Sequence, residues 1–154
     1  MPSSRMVKDS FWTDPWVEVQ SERTKLFYLY LLTNPHANIA GVYEVTDRQL
    51  VFETGIPSGD MQTLLGYFQA ERKIYRQAPW MVVLNVPKHQ SLKSADTRLG
   101  INRILAGIPK DLLANLWKSG YTYPIEYLTD ELMTEEVKDY KAGVEKLLAG
   151  LGKK

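Results

Sequence analysis

The chain has no cysteine among its 154 residues. Disulfide bridges, thiolate nucleophiles and cysteine-based zinc sites are therefore excluded. Histidine is nearly as rare: His36 and His89 are the two histidines, and neither has a carboxylate at the spacing that completes a metal site. Glycine loops that bind phosphate, nucleophile elbows and metalloprotease helices are missing too. These absences predict a protein that is not an enzyme and that binds no cofactor and no metal ion.

Long apolar segments are also missing. The longest apolar run, residues 26–32, is far too short to span a bilayer, and the N-terminus lacks the apolar stretch of a secretory signal. We therefore expect a cytoplasmic protein without a membrane partner. The hydrophobic fraction of 44% and the charged fraction of 24% are typical of a globular chain that forms its own core.

Residues 46–88 begin with the pattern of two short helices joined by a tight turn. Thr46 and Gln49 have the spacing of a capping box, in which each side chain satisfies a free amide at the helix start. Gly55 is predicted to end this first helix in the left-handed conformation. The second helix has an apolar stripe at i, i+3, i+4 and i+7, formed by Met61, Leu64, Leu65 and Phe68.

Two β-type runs follow these helices, at residues 73–76 and 80–84, with a short hairpin signal between them. An earlier run, residues 41–45, can pair with them to give a three-stranded sheet. The order of helix, turn, helix and hairpin is that of a winged helix-turn-helix. We therefore predict a mainly α chain with a small antiparallel sheet, in which a winged helix-turn-helix domain precedes a helical C-terminal extension.

The N-terminal residues are predicted to pack back onto this domain. Ser21 is a suitable N-cap for a helix at residues 22–32, which is nearly all apolar after its first turn and is expected to be a buried spine. Before it lie three aromatic residues that should not stay in water, namely Phe11, Trp12 and Trp16. We predict residues 1–93 as a winged helix-turn-helix domain with an N-terminal aromatic arm, and residues 94–154 as the helical extension.

The extension is predicted to contain three helices. The first, at residues 94–106, is interrupted by Gly100, and Pro109 suits the first position of the next helix. The last helix, at residues 134–149, has one apolar stripe, formed by Val137, Tyr140, Val144, Leu147 and Leu148. That stripe can pack either on the chain itself or on a partner.

Positive charge is concentrated in the middle of the chain. Residues 72–110 contain eight lysines and arginines with Asp96 as the one acidic residue, although the whole chain has a net charge of only +1. Such asymmetry is typical of a surface that binds phosphate groups. A solvated face without a partner gives the same pattern, so the charge alone leaves both interpretations open.

The predicted DNA-binding residues lie on the two helices and around the hairpin. Gln62, Thr63 and Tyr67 face away from the apolar stripe of the second helix, and their polar groups can bond base edges. The cations predicted to hold phosphates or to clamp the DNA backbone are Arg48, Arg72, Lys73, Arg76 and Lys88. His89 is expected to make a phosphate or structural hydrogen bond. Because the second helix is poor in cations, a protein-interaction surface is the alternative.

Five segments have a familiar pattern: RMVKDSFWTDP at residues 5–15, YLLTNPH at 30–36, NIAGVYE at 38–44, FETGI at 52–56 and NVPKHQ at 85–90. Together they resemble the replication-initiation proteins of phages and prophages of Gram-positive bacteria. These are replisome organisers with a DnaD-like N-terminal winged helix. The resemblance covers about residues 5 to 110 and is most specific between residues 30 and 44.

This resemblance implies a protein that binds a replication origin and helps to recruit the replicative helicase. Its expected partners are double-stranded DNA, a helicase loader or another primosome protein, and a second copy of the chain. Two alternatives share the fold: a transcriptional regulator with the same surface, and a protein-interaction or oligomerisation module of the primosome without strong DNA binding. Arg72 stands where winged helices usually have glycine, so it must adopt a left-handed conformation or reshape the corner.

Overall fold

The computed structural model describes residues 3–152. The chain is mainly helical with one small antiparallel sheet, which confirms the predicted fold class. The helices are α1 (Pro15–Glu18), α2 (Glu22–Thr33), α3 (Asp47–Thr54), α4 (Ser58–Ala70), α5 (Ala95–Ala106), α6 (Lys110–Leu116) and α7 (Glu135–Leu151). The strands are β1 (Val42–Glu44), β2 (Ile74–Gln77) and β3 (Trp80–Val83). Short 3-10 helices lie at Asp9–Thr13, Pro87–His89, Trp117–Ser119, Ile125–Tyr127 and Asp130–Leu132.

Strand β3 lies in the middle of the sheet, antiparallel to β1 on one side and to β2 on the other. The register places Tyr43 opposite Met81, and both side chains point to one face of the sheet. Ile74, opposite Val83, points there too, and this face packs on α2, α3 and α4. Because side chains alternate along a strand, Val82 points to the other face, which packs on α5, α6 and α7.

Helices therefore cover both faces of the sheet. Val42 and Val82 belong to the same buried cluster as Ile101 and Leu105 of α5. The residues before and after position 93 thus share the sheet as a common core. The division into 1–93 and 94–154 stays a prediction, since a shared core leaves open whether the first part folds alone.

The local signals for the two helices α3 and α4 are confirmed. The amide of Gln49 donates to Thr46 Oγ1 at 3.1 Å, and the amide of Thr46 donates to Gln49 Oε1 at 2.8 Å, which is the predicted capping box. Gly55 ends α3 with a φ of 74°, as expected for a left-handed C-cap. The apolar stripe of α4 is buried, with Met61 and Phe68 at 0% exposure. Hydrogen bonds and burial therefore fix the two helices at the predicted positions.

The corner between α4 and β2 is built on a left-handed arginine. Arg72 has a φ of 56°, and its amide donates to the carbonyl of Gln69 at 3.1 Å. Of the two possibilities that the sequence left open, the chain uses the left-handed conformation. This conformation is costly for a residue with a Cβ. It turns the chain from α4 into the hairpin and leaves the arginine side chain in solvent.

Two predictions about the first 33 residues need correction. The arm does fold back, with Phe11 only 8% exposed, but Trp12 is 57% exposed, and its ring packs edge to face with that of Phe11. Helix α2 is not buried all round. Phe27 lies in the core, whereas Leu26 is half exposed, because α2 covers the core with one side and meets solvent with the other.

Two details of the extension also differ from the prediction. Gly100 does not interrupt α5, which is continuous from Ala95 to Ala106. The glycine lies where the helix approaches Ile39, since a Cβ there would be 3.0 Å from the Ile39 Cδ1 atom. Pro109 is the N-cap of α6 rather than its first residue, and the helix begins one position later.

The apolar stripe of α7 is divided between packing and exposure. Val137 is buried in the shared core, and the hydroxyl of Tyr140 donates to the carbonyl of Trp117 at 3.1 Å. Leu147 and Leu148, in the second half, are 66% and 61% exposed. Contacts within the chain therefore bury only the first half of the apolar stripe of α7. No helix within residues 3–152 is long and apolar enough to cross a bilayer.

A pair of leucine variants tests the shared core. Leu105→Ala should lower the free energy of unfolding by about 2–5 kcal/mol, because it removes a side chain that is 1% exposed between α5 and the sheet. Leu147→Ala, at 66% exposure, is the matched control and should change it by less than about 0.5 kcal/mol. Urea unfolding followed by tryptophan fluorescence and circular dichroism should give one transition in each variant. Two separate transitions would contradict a common core.

Candidate nucleic-acid interface

The outer side of α4 is an open surface of short polar and small side chains. Gln62, Thr63 and Ala70 are exposed, and a Cβ built at Gly59 or Gly66 meets no atom within 4 Å. The inner side of the same helix is fully used by the core. The helix that the sequence predicted as the DNA reader thus has room for the close approach of a nucleic acid backbone or base edge.

Two of the predicted base readers have local hydrogen bonds. Gln62 Nε2 donates to Asp47 Oδ2 at 3.1 Å, so its amide is held against the start of α3. Thr63 Oγ1 donates to the carbonyl of Gly59 at 3.2 Å, a bond within the helix that leaves the hydroxyl oxygen able to accept. A bidentate contact between a glutamine and adenine uses both amide atoms. Gln62 must therefore exchange its bond to Asp47 to make that contact.

The N-terminal arm covers the C-terminal half of the same surface. Trp16 stacks on Tyr67 with ring centroids 6.0 Å apart and an interplanar angle of 20°. The Tyr67 hydroxyl donates to Gln20 Oε1 at 3.0 Å, and Trp16 Nε1 donates to Glu71 Oε1 at 3.1 Å. Lys73 Nζ lies 4.6 Å from the Trp16 ring centroid, within reach of a cation–π interaction. Tyr67 and Lys73 are thus part of a joint surface with the arm, which the sequence did not indicate.

The cation of the hairpin has an internal partner. Arg76 Nη2 lies 2.7 Å from Asp47 Oδ1, and the arginine side chain is only 10% exposed. Its Nη1 donates to the carbonyl of Pro79 at 3.3 Å. The hydrogen bond from Arg76, with a smaller effect from Gln62, holds the pKa of Asp47 below its ordinary value. A phosphate contact by Arg76 stays a prediction, but it would require this ion pair to open.

The tip of the hairpin is also held from both sides. Gln77 Nε2 donates to Asp111 Oδ2 of α6 at 3.0 Å, and the amide of Val45 donates to the carbonyl of Pro79 at 2.8 Å. The hairpin is therefore a short, packed element rather than a free wing. Its position relative to α4 is set by these bonds and by the ion pair of Arg76.

The acidic residues around α4 are bonded internally, whereas two arginines are free. Asp60 pairs with Arg23 at 2.7 Å, and Asp47 and Glu71 have the partners described above. The side chains of Arg48 and Arg72 are exposed and make no ion pair or hydrogen bond to any residue between 3 and 152. Positive charge near both ends of the α3–α4 unit is therefore available for an external anion.

Lys88 lies apart from the other predicted residues. It belongs to the 3-10 helix that follows β3, where its amide donates to Thr122 Oγ1 at 3.2 Å. Beside it, Lys8 Nζ lies 3.5 Å from His89 Nδ1. Sequence reasoning missed Lys8, because nothing in the sequence indicates that the arm brings it next to a residue 81 positions away. The eight predicted residues therefore do not form one surface. Six of them lie on or directly after α3 and α4, Arg76 is paired with Asp47, and Lys88 lies next to His89, which contacts Lys8.

The other histidine belongs to a separate polar cluster. His36 Nε2 lies 2.9 Å and 3.1 Å from the carboxylate oxygens of Glu53, which also accepts from the Tyr30 hydroxyl at 2.7 Å. Burial would raise the pKa of Glu53, but the hydrogen bonds from His36 and Tyr30 hold it below its ordinary value. Among residues 3–152, no three histidine or acidic residues come together as a set of metal ligands.

Comparison with known proteins adds no assignment. No family model matches the chain, and it matches neither a curated protein nor a solved structure. The fold of this chain is therefore described from its own elements, which have the order helix, strand, helix, helix, strand, strand from α2 to β3. The surface around α4 is therefore the starting point for a proposal about its function.

Two asparagine variants test the internal ion pair. Asp47→Asn should lower the free energy of unfolding by about 1–3 kcal/mol near neutral pH, because it leaves the buried Arg76 guanidinium without its anion. Asp60→Asn breaks a pair of the same length with both partners exposed and should cost less than about 1 kcal/mol. Thermal unfolding of both variants and the wild type measures the difference.

The pH dependence of stability gives the same test a second readout. The pKa of Asp47 is lowered in the folded chain, so its contribution is present above the ordinary carboxyl pKa and is lost as the pH falls through the lowered value. Asp47→Asn should therefore flatten the acid side of the stability curve. If Asp47→Asn and Asp60→Asn lower the free energy of unfolding equally, the ion pair between Asp47 and Arg76 does not stabilise the fold more than an exposed pair does.

Proposed function

We propose that this chain is a DNA-binding component of phage or prophage replication initiation, which acts in origin binding or primosome assembly. The main observation in support is the outer side of α4, which is open in its N-terminal half, together with the free cations Arg48 on α3 and Arg72 after α4, while the carboxylates around it are bonded internally. The resemblance of residues 5–110 to replisome organisers supports the role in replication. An order of elements typical of a winged helix supports DNA as the ligand.

The proposed mode of binding is dominated by contacts to the DNA backbone. Arg48, Arg72 and Lys88 are long, exposed cations that can reach phosphates. The base-reading groups are few, and Gln62 has to give up its bond to Asp47 before it can read an adenine. Affinity should therefore depend steeply on salt, while discrimination between DNA sequences should be modest.

Binding of a short DNA duplex across a salt series tests this proposal. Arg48→Ala and Arg72→Gly should each weaken binding and reduce the slope of log K against log salt by about 0.9, the value for one lost phosphate contact. Glycine is the better replacement at position 72, because it keeps the left-handed corner while it removes the cation. Fluorescence anisotropy with a labelled duplex measures both quantities.

Arg103→Ala is the matched control for these variants. Arg103 is an exposed cation of the same basic segment, but it belongs to α5, which packs on the opposite face of the sheet from α4. Its loss should leave the salt slope unchanged. Negligible binding by the wild type at low salt would refute DNA binding, and an equal loss in Arg103→Ala would refute the assigned surface. Mapping the bound site to an origin or to a promoter separates the replication protein from a transcriptional regulator.

A second candidate function is supported by the exposed end of α7. Leu147, Leu148 and Leu151 are 66%, 61% and 69% exposed on the last turns of one helix, and such a cluster is typical of an interaction surface. The corresponding proposal is an oligomerisation module in which α7 joins a second copy of the chain. In that case the winged helix serves assembly, and the cations around α4 can be removed without loss.

The mass of the chain in solution tests this second candidate. An oligomer is expected for the wild type, and Leu147→Asp should convert it to a monomer, because a carboxylate would be buried in the contact. Leu99→Asp is the control, since Leu99 is 47% exposed but lies on α5. Light scattering at several concentrations gives the masses. A monomeric wild type would eliminate the oligomerisation module.

A further inference from the structure

Two basic side chains from distant segments, Lys8 and His89, meet in the region that follows β3, and Lys88 is the chain neighbour of His89. Lys8 precedes the 3-10 helix of the arm, and Lys88 and His89 end the 3-10 helix that follows β3. Lys8 Nζ lies 3.5 Å from His89 Nδ1, and all three side chains are exposed. Neither lysine has an ion pair with any carboxylate among residues 3–152. Basic groups from two segments therefore lie close together, and Asp14 is the carboxylate that acts on His89.

The backbone, and not the charges, holds these groups together. The amide of Lys88 donates to Thr122 Oγ1 at 3.2 Å, and the amide of His89 donates to the carbonyl of Val86 at 3.1 Å. On the arm, the amide of the buried Phe11 donates to the carbonyl of Lys8 at 3.0 Å. The backbone that carries the cations is thus fixed before any ligand arrives, which reduces the entropic cost of ordering it on binding.

The contact between Lys8 and His89 depends on the protonation state of the imidazole. An ammonium group can only donate, so His89 Nδ1 must be unprotonated to accept from it. Burial, and then the charges of Lys8 and Lys88, lower the pKa of His89. Asp14 acts in the opposite direction, but its carboxylate already accepts from the amides at the start of α1. A phosphate beside His89 would add a second negative charge that favours the protonated imidazole.

We propose that Lys8, Lys88 and His89 form a phosphate-binding site, which a phosphate of the DNA backbone occupies in the complex. In this arrangement a phosphate oxygen replaces His89 Nδ1 as the acceptor for Lys8. His89 takes up one proton from solvent, and the imidazolium then donates to the same phosphate. The inference rests on the proposed DNA binding and extends it to a second surface, away from α4.

Proton uptake makes the binding dependent on pH. The pKa of His89 is lowered in the free chain and is raised beside a phosphate, so one proton is bound between those two values. DNA affinity should therefore rise as the pH falls from 8 to 6. A rise of one unit in the pKa of His89 limits the gain in affinity to about tenfold, which is reached only at pH values below the pKa in the free chain. The groups that act on this histidine are Lys8, Lys88 and Asp14.

Proton NMR titration of the two histidines tests the site directly. The full chain has only His36 and His89, so His36→Gln assigns the remaining imidazole resonance to His89. A short DNA duplex in a phosphate-free buffer should raise the pKa of His89 and leave the titration of His36 unchanged. Inorganic phosphate is the second arm, and it shows whether a free ion alone produces the same rise.

Affinity measurements give an independent readout. His89→Gln should abolish the rise in DNA affinity between pH 8 and pH 6, and Lys8→Ala should reduce both that rise and the salt slope, by about 0.9 for one phosphate. Lys93→Ala is the matched control, because Lys93 is an exposed cation close in the sequence to His89 that makes no ion pair within residues 3–152. All of these side chains are exposed, so the variants should fold as the wild type does.

The outcomes separate this inference from the proposed function. If the duplex binds and responds to Arg48 and Arg72 while the pKa of His89 stays unchanged, the second phosphate site is refuted and the DNA-binding proposal stands. If the duplex does not bind at low salt, the DNA-binding proposal fails. A rise in the pKa of His89 with inorganic phosphate alone then supports the anion site but refutes DNA as its ligand. If the duplex does not bind and inorganic phosphate does not raise the pKa of His89 either, both the DNA-binding proposal and the anion site are refuted.

Discussion

Burial of the central strand β3 on both faces is the constraint on which the rest of the structure depends. Met81 and Val83 point into the core with α2, α3 and α4, while Val82 points into the core with α5, α6 and α7. A strand of this kind has no side for water, and each helical layer shields one of its faces. The helices after residue 94 therefore complete the sheet that positions α4.

The end of the same strand positions both groups of cations. The amide of Leu84 donates to the carbonyl of Lys73 at 3.1 Å, directly after the left-handed corner at Arg72. The carbonyl of Leu84 accepts from both the amide and the hydroxyl of Thr122, and Thr122 in turn accepts from the amide of Lys88. Arg72 and Lys88 are thus connected through Leu84, the residue directly after β3. Their relative position is a property of the sheet rather than of flexible loops.

The fold was largely predictable because its signals are local. The capping box at Thr46, the left-handed Gly55 and the apolar stripe of α4 each involve residues within a few positions of one another. The burial of the second face of the sheet also has a local signal in the sequence. The unbroken apolar run of residues 81–84 is typical of a strand that is buried on both sides.

The site was less predictable, because the fate of each charge depends on partners far away in the sequence. Arg76 is 29 residues from Asp47, and the arm meets α4 across 47 residues between Gln20 and Tyr67. The basic segment accordingly does not form one patch. Arg98, for example, donates to the carbonyl of Leu92 at 2.7 Å and faces an aromatic ring. A sum of charges along the chain cannot separate such internal cations from free ones.

The arm decides whether the two cationic surfaces can act on one DNA duplex. Its first end holds Lys8 beside His89, and Trp16 at its other end stacks on Tyr67 below Lys73. The chain from Lys8 to Trp16 is mostly 3-10 and α-helical, so at about 2 Å per residue the two ends are at most about 16 Å apart. The major groove of B-DNA is about 12 Å wide. In the proposed complex, the two surfaces are therefore close enough to contact phosphates across one groove.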